Sequence, residues 1–165
     1  MRRKDREMPG EFAYEVIDHS PFGTLSTVNE DGTPYCIPVS AVRAGDSLYF
    51  HCAHQGQKVA NLRRRPEVCL SFVSYAHIPQ GRFTTEYESA VVFGAAREIT
   101  EDQEKIEALR RICLRYTPDN MAAFEGAVSE SLGRTALWRI DIKEISGKRK
   151  KYDSAGVEMK FGRMK

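Results

Sequence analysis

The sequence predicts a mainly β protein: a small antiparallel β-barrel, Greek-key-like in its connections, with helices covering it. Three observations lead there. Runs of strand length in which apolar residues alternate with polar ones recur along the chain, each bounded by Gly, Pro, Asn or Asp. Two of the gaps, Asn29-Glu-Asp-Gly-Thr33 and Ala44-Gly-Asp-Ser47, carry hairpin turn chemistry. Helical periodicity is confined to a few short stretches, too few for a bundle.

In order, residues 11–19 read as a short helix, stopped by Ser20-Pro21. Phe22–Val28 and Pro34–Val42 follow as strands joined through Asp31-Gly32, and Leu48–Cys52 as a third, so that an antiparallel meander is expected. Pro38 lies inside the second of these. Proline donates nothing to a ladder, so the strand is bent, bulged or at an edge there. A helix is expected over 56–65, with Val59 and Leu62 on one face and Pro66 as its stop. Glu67–Tyr75 alternates as a fourth strand. Thr84–Ile99 is long and β-rich, and Gly94 within it marks a bulge or a close backbone approach. Thr100, with Gln103 at capping-box spacing, opens a helix whose apolar face is Ile106, Leu109, Cys113 and Tyr116. A weaker helix over 119–132 carries Met121, Phe124, Val128 and Leu132 on one side. Both helices read as core covering, without chemistry. Thr135–Ile145 alternates cleanly as a half-exposed last strand ending near Gly147-Lys148.

The stretch with most chemistry is Leu48-Tyr-Phe-His-Cys-Ala-His-Gln-Gly-Gln-Lys-Val-Ala-Asn-Leu62. A strand turns through Gly56 into a helix whose first amides lack internal partners and sit at the positive end of the dipole. Lys58 adds a cation at that same end, an arrangement that is unfavourable until an anion lies between them. A phosphate fits; a solvated surface lysine is the alternative reading. His51-Cys52-x-His54 invites a metal, but neighbours on a strand point to opposite faces, and no metal site is expected.

Leu-Tyr-Phe-His-Cys-Ala-x-x-Gly-x-Lys resembles the FMN-binding split-barrel family related to pyridoxamine 5′-phosphate oxidase, and within it the nitroimidazole-resistance branch. Similarity extends over residues 11–149, taking in Tyr87-x-Ser89-Ala90 with Gly94 and Ala96, and a Trp138-bearing strand that runs into Gly147-Lys148. The resemblance implies a split barrel and a homodimer with FMN in the subunit interface. Val39, Ser40, Phe50, His51, Cys52, Ala53, Tyr87 and Ser89 are the residues it places along the flavin. Gln57, Lys58 and Asn61, with Arg63 or Arg64, are placed at the phosphate. His51, matching a histidine at flavin and substrate in that branch, is the catalytic candidate, as a proton donor to a small-molecule substrate.

An FMN-dependent oxidoreductase that reduces nitroimidazole-type or other small aromatic compounds is the function so implied. An FMN- or haem-binding protein with little turnover is the alternative, with His19, His54 and His77 as further histidines for a haem. A true pyridoxamine phosphate oxidase is disfavoured, because the C-terminal end shows no Arg-x-His signature.

Composition agrees with one domain. The chain has 165 residues, 41% of them hydrophobic, enough to bury a core without staples. Cys36, Cys52, Cys69 and Cys113 form no Cys-x-x-Cys pair, which argues against a closed zinc site or a disulfide framework. No apolar run approaches a membrane span, and the charged start leads into no signal-peptide core, so a cytoplasmic protein is expected. The net charge of +2 is uneven, because residues 148–165 carry seven Lys or Arg against two acids. Domain boundaries are therefore set at 1–149 for the barrel and 150–165 for a basic tail, disordered or crossing to the partner subunit. The tail lacks interleaved aromatics, and nucleic acid is not an expected partner.

Overall fold

The computed structural model describes residues 2–161. Eight strands form one antiparallel sheet: β1 (Glu7–Met8), β2 (Gly23–Val28), β3 (Pro34–Val39), β4 (Val42–Ala44), β5 (Ser47–Cys52), β6 (Glu67–His77), β7 (Glu86–Ile99) and β8 (Ala136–Lys150). Four α-helices accompany them: α1 (Gly10–His19), α2 (Gln57–Arg64), α3 (Asp102–Tyr116) and α4 (Phe124–Ser131). The strand order is β3-β2-β6-β7-β8-β5-β4, with β1 added on β8.

That order corrects the expected meander. The hairpins β2–β3 and β4–β5 do form, but they sit at opposite edges of the sheet. Turn residues fix each hairpin locally, whereas the crossing between them takes place in Ser40 and Ala41, where β3 ends and β4 has not begun. The crossing, and the return from β5 to β6 beside β2, give the Greek-key-like path. The sheet curls without closing, with β3 and β4 as its edges: a split barrel rather than a sealed one. Pro38 lies on the edge strand, as its missing N–H requires.

Alternation divides each strand between two faces. The inner face supplies Leu25, Leu48, Phe50, Leu70, Phe72, Val92, Trp138 and Ile140, packed with Ala13, Val16 and Ile17 of α1 and Val59 and Leu62 of α2. On the outer side of β4, β5 and the start of β8, a second cluster joins Val42, Ile99 and Leu137 to Leu109 and Ile112 of α3 and Phe124 and Val128 of α4. The outer face of β3, β2, β6 and the first half of β7 has no helix over it. Val73 and Phe93 stand there about half exposed, with Cys36, Pro38 and Ser71 around them.

Two further expectations change. Thr100 does not cap α3; the N-cap position is Glu101, without a side-chain hydrogen bond, and Gln103 donates to Glu107 instead. The last strand does not end at Gly147 but continues to Lys150, because β1 and β7 both pair with that stretch. The described part of the basic tail turns back on its own chain through a Tyr152–Glu158 bridge. There Lys160 reaches Asp5 (3.2 Å) and Glu158 (2.7 Å), and Arg6 holds Glu158 at 2.7 Å. Among the described residues, no helix is long and apolar enough to cross a membrane.

Gly94 marks a close approach and stands beside a bulge whose extra residue, Lys143, belongs to β8. The β7–β8 register shifts between Phe93 and Gly94, and a Cβ on Gly94 would stand 2.5 Å from the Asp141 carbonyl oxygen and 2.8 Å from Ile140 Cγ2. Gly94→Ala is expected to cost about 1–3 kcal/mol, the usual range for overpacking, read as a lower urea midpoint at unchanged slope. An unchanged midpoint would mean that β8 yields freely at Asp141.

Candidate functional site

β5 and α2 build the site. Along β5, Phe50 points inward and is fully buried, whereas His51 points outward, exposed at the edge of the space under α3 and α4. Cys52 turns inward again and packs on the main core. The opposite orientation of His51 and Cys52 is the one that strand geometry predicts. After Cys52 the chain passes exposed Ala53 and turns at Gly56, whose φ of +123° is a conformation that suits glycine. Among the described residues, nothing beyond its chain neighbours stands within 4 Å of where a Gly56 Cβ would be, so the turn is open.

α2 then starts without a side-chain cap. Its first amides therefore keep their donors. The Lys58 Nζ lies 5.3 Å from the centre of the Phe50 ring, and among the described residues it has no carboxylate partner. An uncapped helix start, an open glycine turn and an unpaired ammonium are together the physical makings of an anion receptor.

Asn61 and Gln57 hold that receptor in place. Asn61 is fully buried, and its amide donates to Thr27 Oγ1 (3.0 Å) and Asn29 Oδ1 (2.8 Å). Gln57 Nε2 donates to the same Asn29 oxygen (3.0 Å) and to Asn61 Oδ1 (3.2 Å). The two side chains tie α2 to the β2–β3 hairpin, so the amide groups of Asn61 in particular are engaged inside the protein. Arg63 and Arg64 are likewise engaged: Arg63 makes a forked pair with Glu98 (2.9–3.0 Å), and Arg64 lies 3.4 Å from Glu30.

The remaining candidates fall elsewhere. Val39 is buried at the end of β3, and Ser40 is exposed just beyond it. Tyr87 and Ser89 stand on β7 opposite Lys150 and Lys148, with the Lys148 Nζ 5.6 Å from the Tyr87 ring centre. His51 pairs with Leu137 of the same strand β8. At about 3.3 Å per residue, Leu137 and Lys148 lie on the order of 35 Å apart along β8. One chain therefore does not bring Tyr87 and Ser89 to His51 and Lys58, although Tyr87, Ser89 and His51 all lie on the outer side of the sheet. His19 Nδ1 and His54 Nε2 donate to the backbone carbonyls of Glu15 (2.8 Å) and Gly133 (3.3 Å), and His77 is exposed at the end of β6; the three are not gathered. Among the described residues, no cluster of three or more His, Cys, Asp or Glu is placed to hold a metal ion.

His51 has a feature that sequence reading does not disclose. It lies at the edge of a cavity of about 430 Å³ between β5, α3 and α4, walled by Leu109, Ile112, Met121, Phe124 and Val128. Burial, and secondarily the Lys58 ammonium, push the imidazole pKa below its ordinary value. Burial pushes the neighbouring Cys52 thiol up, which keeps it un-ionised.

The fold is a split antiparallel barrel in which an open, uncapped helix start follows the strand that bears His51. The chain belongs to the pyridoxamine 5′-phosphate oxidase family, whose model matches residues 11–149. Solved structures agree on the fold. A candidate 5-nitroimidazole antibiotic resistance protein from Bacteroides thetaiotaomicron superposes with a TM-score of 0.72 at 21% identity, covering 87% of this chain and 86% of that one. An FAD- and heme-binding protein from Mycobacterium smegmatis gives 0.76 at 22% identity, over 87% and 73%. An FAD-binding protein from Mesorhizobium loti gives 0.63 at 20% identity, over 87% and 96%. No curated protein matches the chain.

The position of His51 yields a titration prediction. Its imidazole should lose its proton below the ordinary value near 6.5. Lys58→Met should raise that midpoint by removing a like charge, as followed by the ring proton shifts. A midpoint unmoved by Lys58→Met would separate the two groups electrostatically.

Proposed function

We propose that the protein is an FMN-dependent reductase that works as a homodimer and transfers electrons to small aromatic compounds of the nitroimidazole kind. The observation that carries this reading is the anion receptor at Gly56–Lys58 set directly after the strand bearing His51. A flavin mononucleotide has one phosphate for such a receptor and a flat ring for the strand beside it. Lys58 and the first amides of α2 would hold the phosphate; His51 and Ala53 would border the ring, while Phe50, fully buried on the opposite face of β5, would support the strand from the core rather than touch the flavin as the resemblance implies. Neighbours of this fold include proteins whose names say that they bind FAD, or FAD and heme, which supports a flavin here.

The distance between the two groups of candidates supports a dimer. Tyr87 and Ser89 share the uncovered outer face with Val91 and Phe93. A second copy laid on that face would bury its apolar residues and carry the partner's Tyr87 and Ser89 toward His51 and Lys58 of the first.

Bound flavin supplies the two-electron chemistry. The protein has to supply a proton, because a nitro group becomes a nitroso group and water only by taking two electrons and two protons. His51 stands where a donor is needed. Its depressed pKa leaves a small protonated fraction at neutral pH, so proton delivery should strengthen as pH falls.

Two experiments check this reading. In an FMN titration followed by sedimentation, the wild-type chain should retain flavin as a dimer. Lys58→Ala should weaken FMN binding by ~1.5–3 kcal/mol, the worth of a hydrogen bond to a charged group. Unchanged affinity would remove Lys58 from the site, and a flavin-loaded monomer would remove the dimer. Second, the flavin-loaded protein, chemically reduced without oxygen and mixed with 2-methyl-5-nitroimidazole, should regain its oxidised flavin bands, faster at lower pH. His51→Gln should slow this about 100-fold or more and flatten the pH dependence. Equal rates in the two proteins would leave His51 a structural residue.

A further inference from the structure

The cavity beneath α3 and α4 is not needed to hold a flavin phosphate, and its walls are specific enough to say what enters it. We infer that it is the substrate pocket and that it takes a small, uncharged aromatic molecule, oriented with its polar end at His51. As a substrate assignment this rests on the flavin reading; as a ligand site it does not.

The volume, about 430 Å³, lies within the range of small-molecule pockets. Small residues leave the space: Ala123, just before α4, and Ala127 within it line the cavity beside the larger Phe124 and Val128. Leu109, Ile112 and Met121 make the rest of the wall apolar. Three hydroxyls also line it, but each donates to a backbone carbonyl: Thr117 to Cys113 (3.3 Å), Ser131 to Ala127 (2.6 Å) and Thr135 to Ser131 (2.9 Å). Their donors are therefore engaged, and the side chains of Asn120 and His51, both exposed at the mouth of the cavity, are the polar groups without a protein hydrogen-bond partner among the described residues. No carboxylate, lysine or arginine lines the cavity. A charged guest would lose its hydration there without a counter-ion, whereas an aromatic ring would exchange water for Leu, Ile, Met and Phe contacts. The two free polar groups then set its direction.

The test uses the whole chain with its methionine methyls labelled, titrated with nitrobenzene and, separately, with 4-nitrobenzoate, each with and without FMN. Nitrobenzene should shift the Met121 methyl signal, and 4-nitrobenzoate should bind at least ten-fold more weakly. Ala127→Phe, which fills the cavity from the solvent side of α4, should weaken nitrobenzene at least ten-fold while FMN affinity stays as in the wild type. A Met121 signal that nitrobenzene leaves unmoved in the wild-type chain, with and without FMN, overturns the proposal, and so does equal binding of the anion. These readings do not depend on the variant folding. If FMN is not retained but nitrobenzene still moves Met121, the flavin reading fails and the neutral aromatic site stands.

Discussion

The pairing of β7 with β8 is the constraint on which the rest depends. These are the two longest strands, and β8 alone pairs with β1, β5 and β7. Its alternation puts Trp138 and Ile140 in the main core and Leu137 in the cluster under α3. One strand thus contributes to both hydrophobic clusters. A bulge in β8 opposite Gly94 interrupts this pair. The sheet packs α1 on its inside, and its outer surface has two different uses: one part is roofed by α3 and α4, the other is bare.

Site chemistry follows from that division. His51 is on the roofed part, so it has both an apolar cavity and an environment that favours the neutral imidazole. Lys58 lies a few residues on, at a helix start that buried Asn61 pins to a hairpin from another part of the sheet. Rigid support of this kind matters because a receptor for an anion works only if its donors are fixed before the anion arrives. Tyr87 and Ser89 are on the bare part, at the far end of β8, where one chain has nothing for them to act on together with His51.

Much of this was legible in the residues because it is local. Asp31-Gly32 and Gly45 fix their hairpins, Gly94 its close approach, Pro38 its edge, and the Gly56–Lys58 conflict marks the start of α2. The path between β3 and β4 was not legible. Ser40 and Ala41 carry no turn signal that separates a tight meander from a crossing to the opposite edge, and the choice is made by which strands β6 and β8 can pair. Asn61 reads as a ligand residue from its spacing beyond Lys58, but its burial against Thr27 depends on how α2 docks, which spacing does not encode. The cavity was missed for a similar reason: Ala123 and Ala127 look like ordinary helix residues, and the space they leave exists only once α4 lies over β5.

Pro34 and Pro38 of β3 have a consequence for how this molecule meets its neighbours in a crowded solution. Both sit at alternate positions whose missing N–H groups face away from β2, so that the free edge of this strand has lost two of the donors an incoming strand would need. The opposite edge, β4, is only three residues long. Sheets grow into fibres by adding strands at edges, and here one edge is chemically blunted and the other is too short to template. Stray association by strand addition is thereby discouraged, and the uncovered apolar surface can be kept for contacts made face to face.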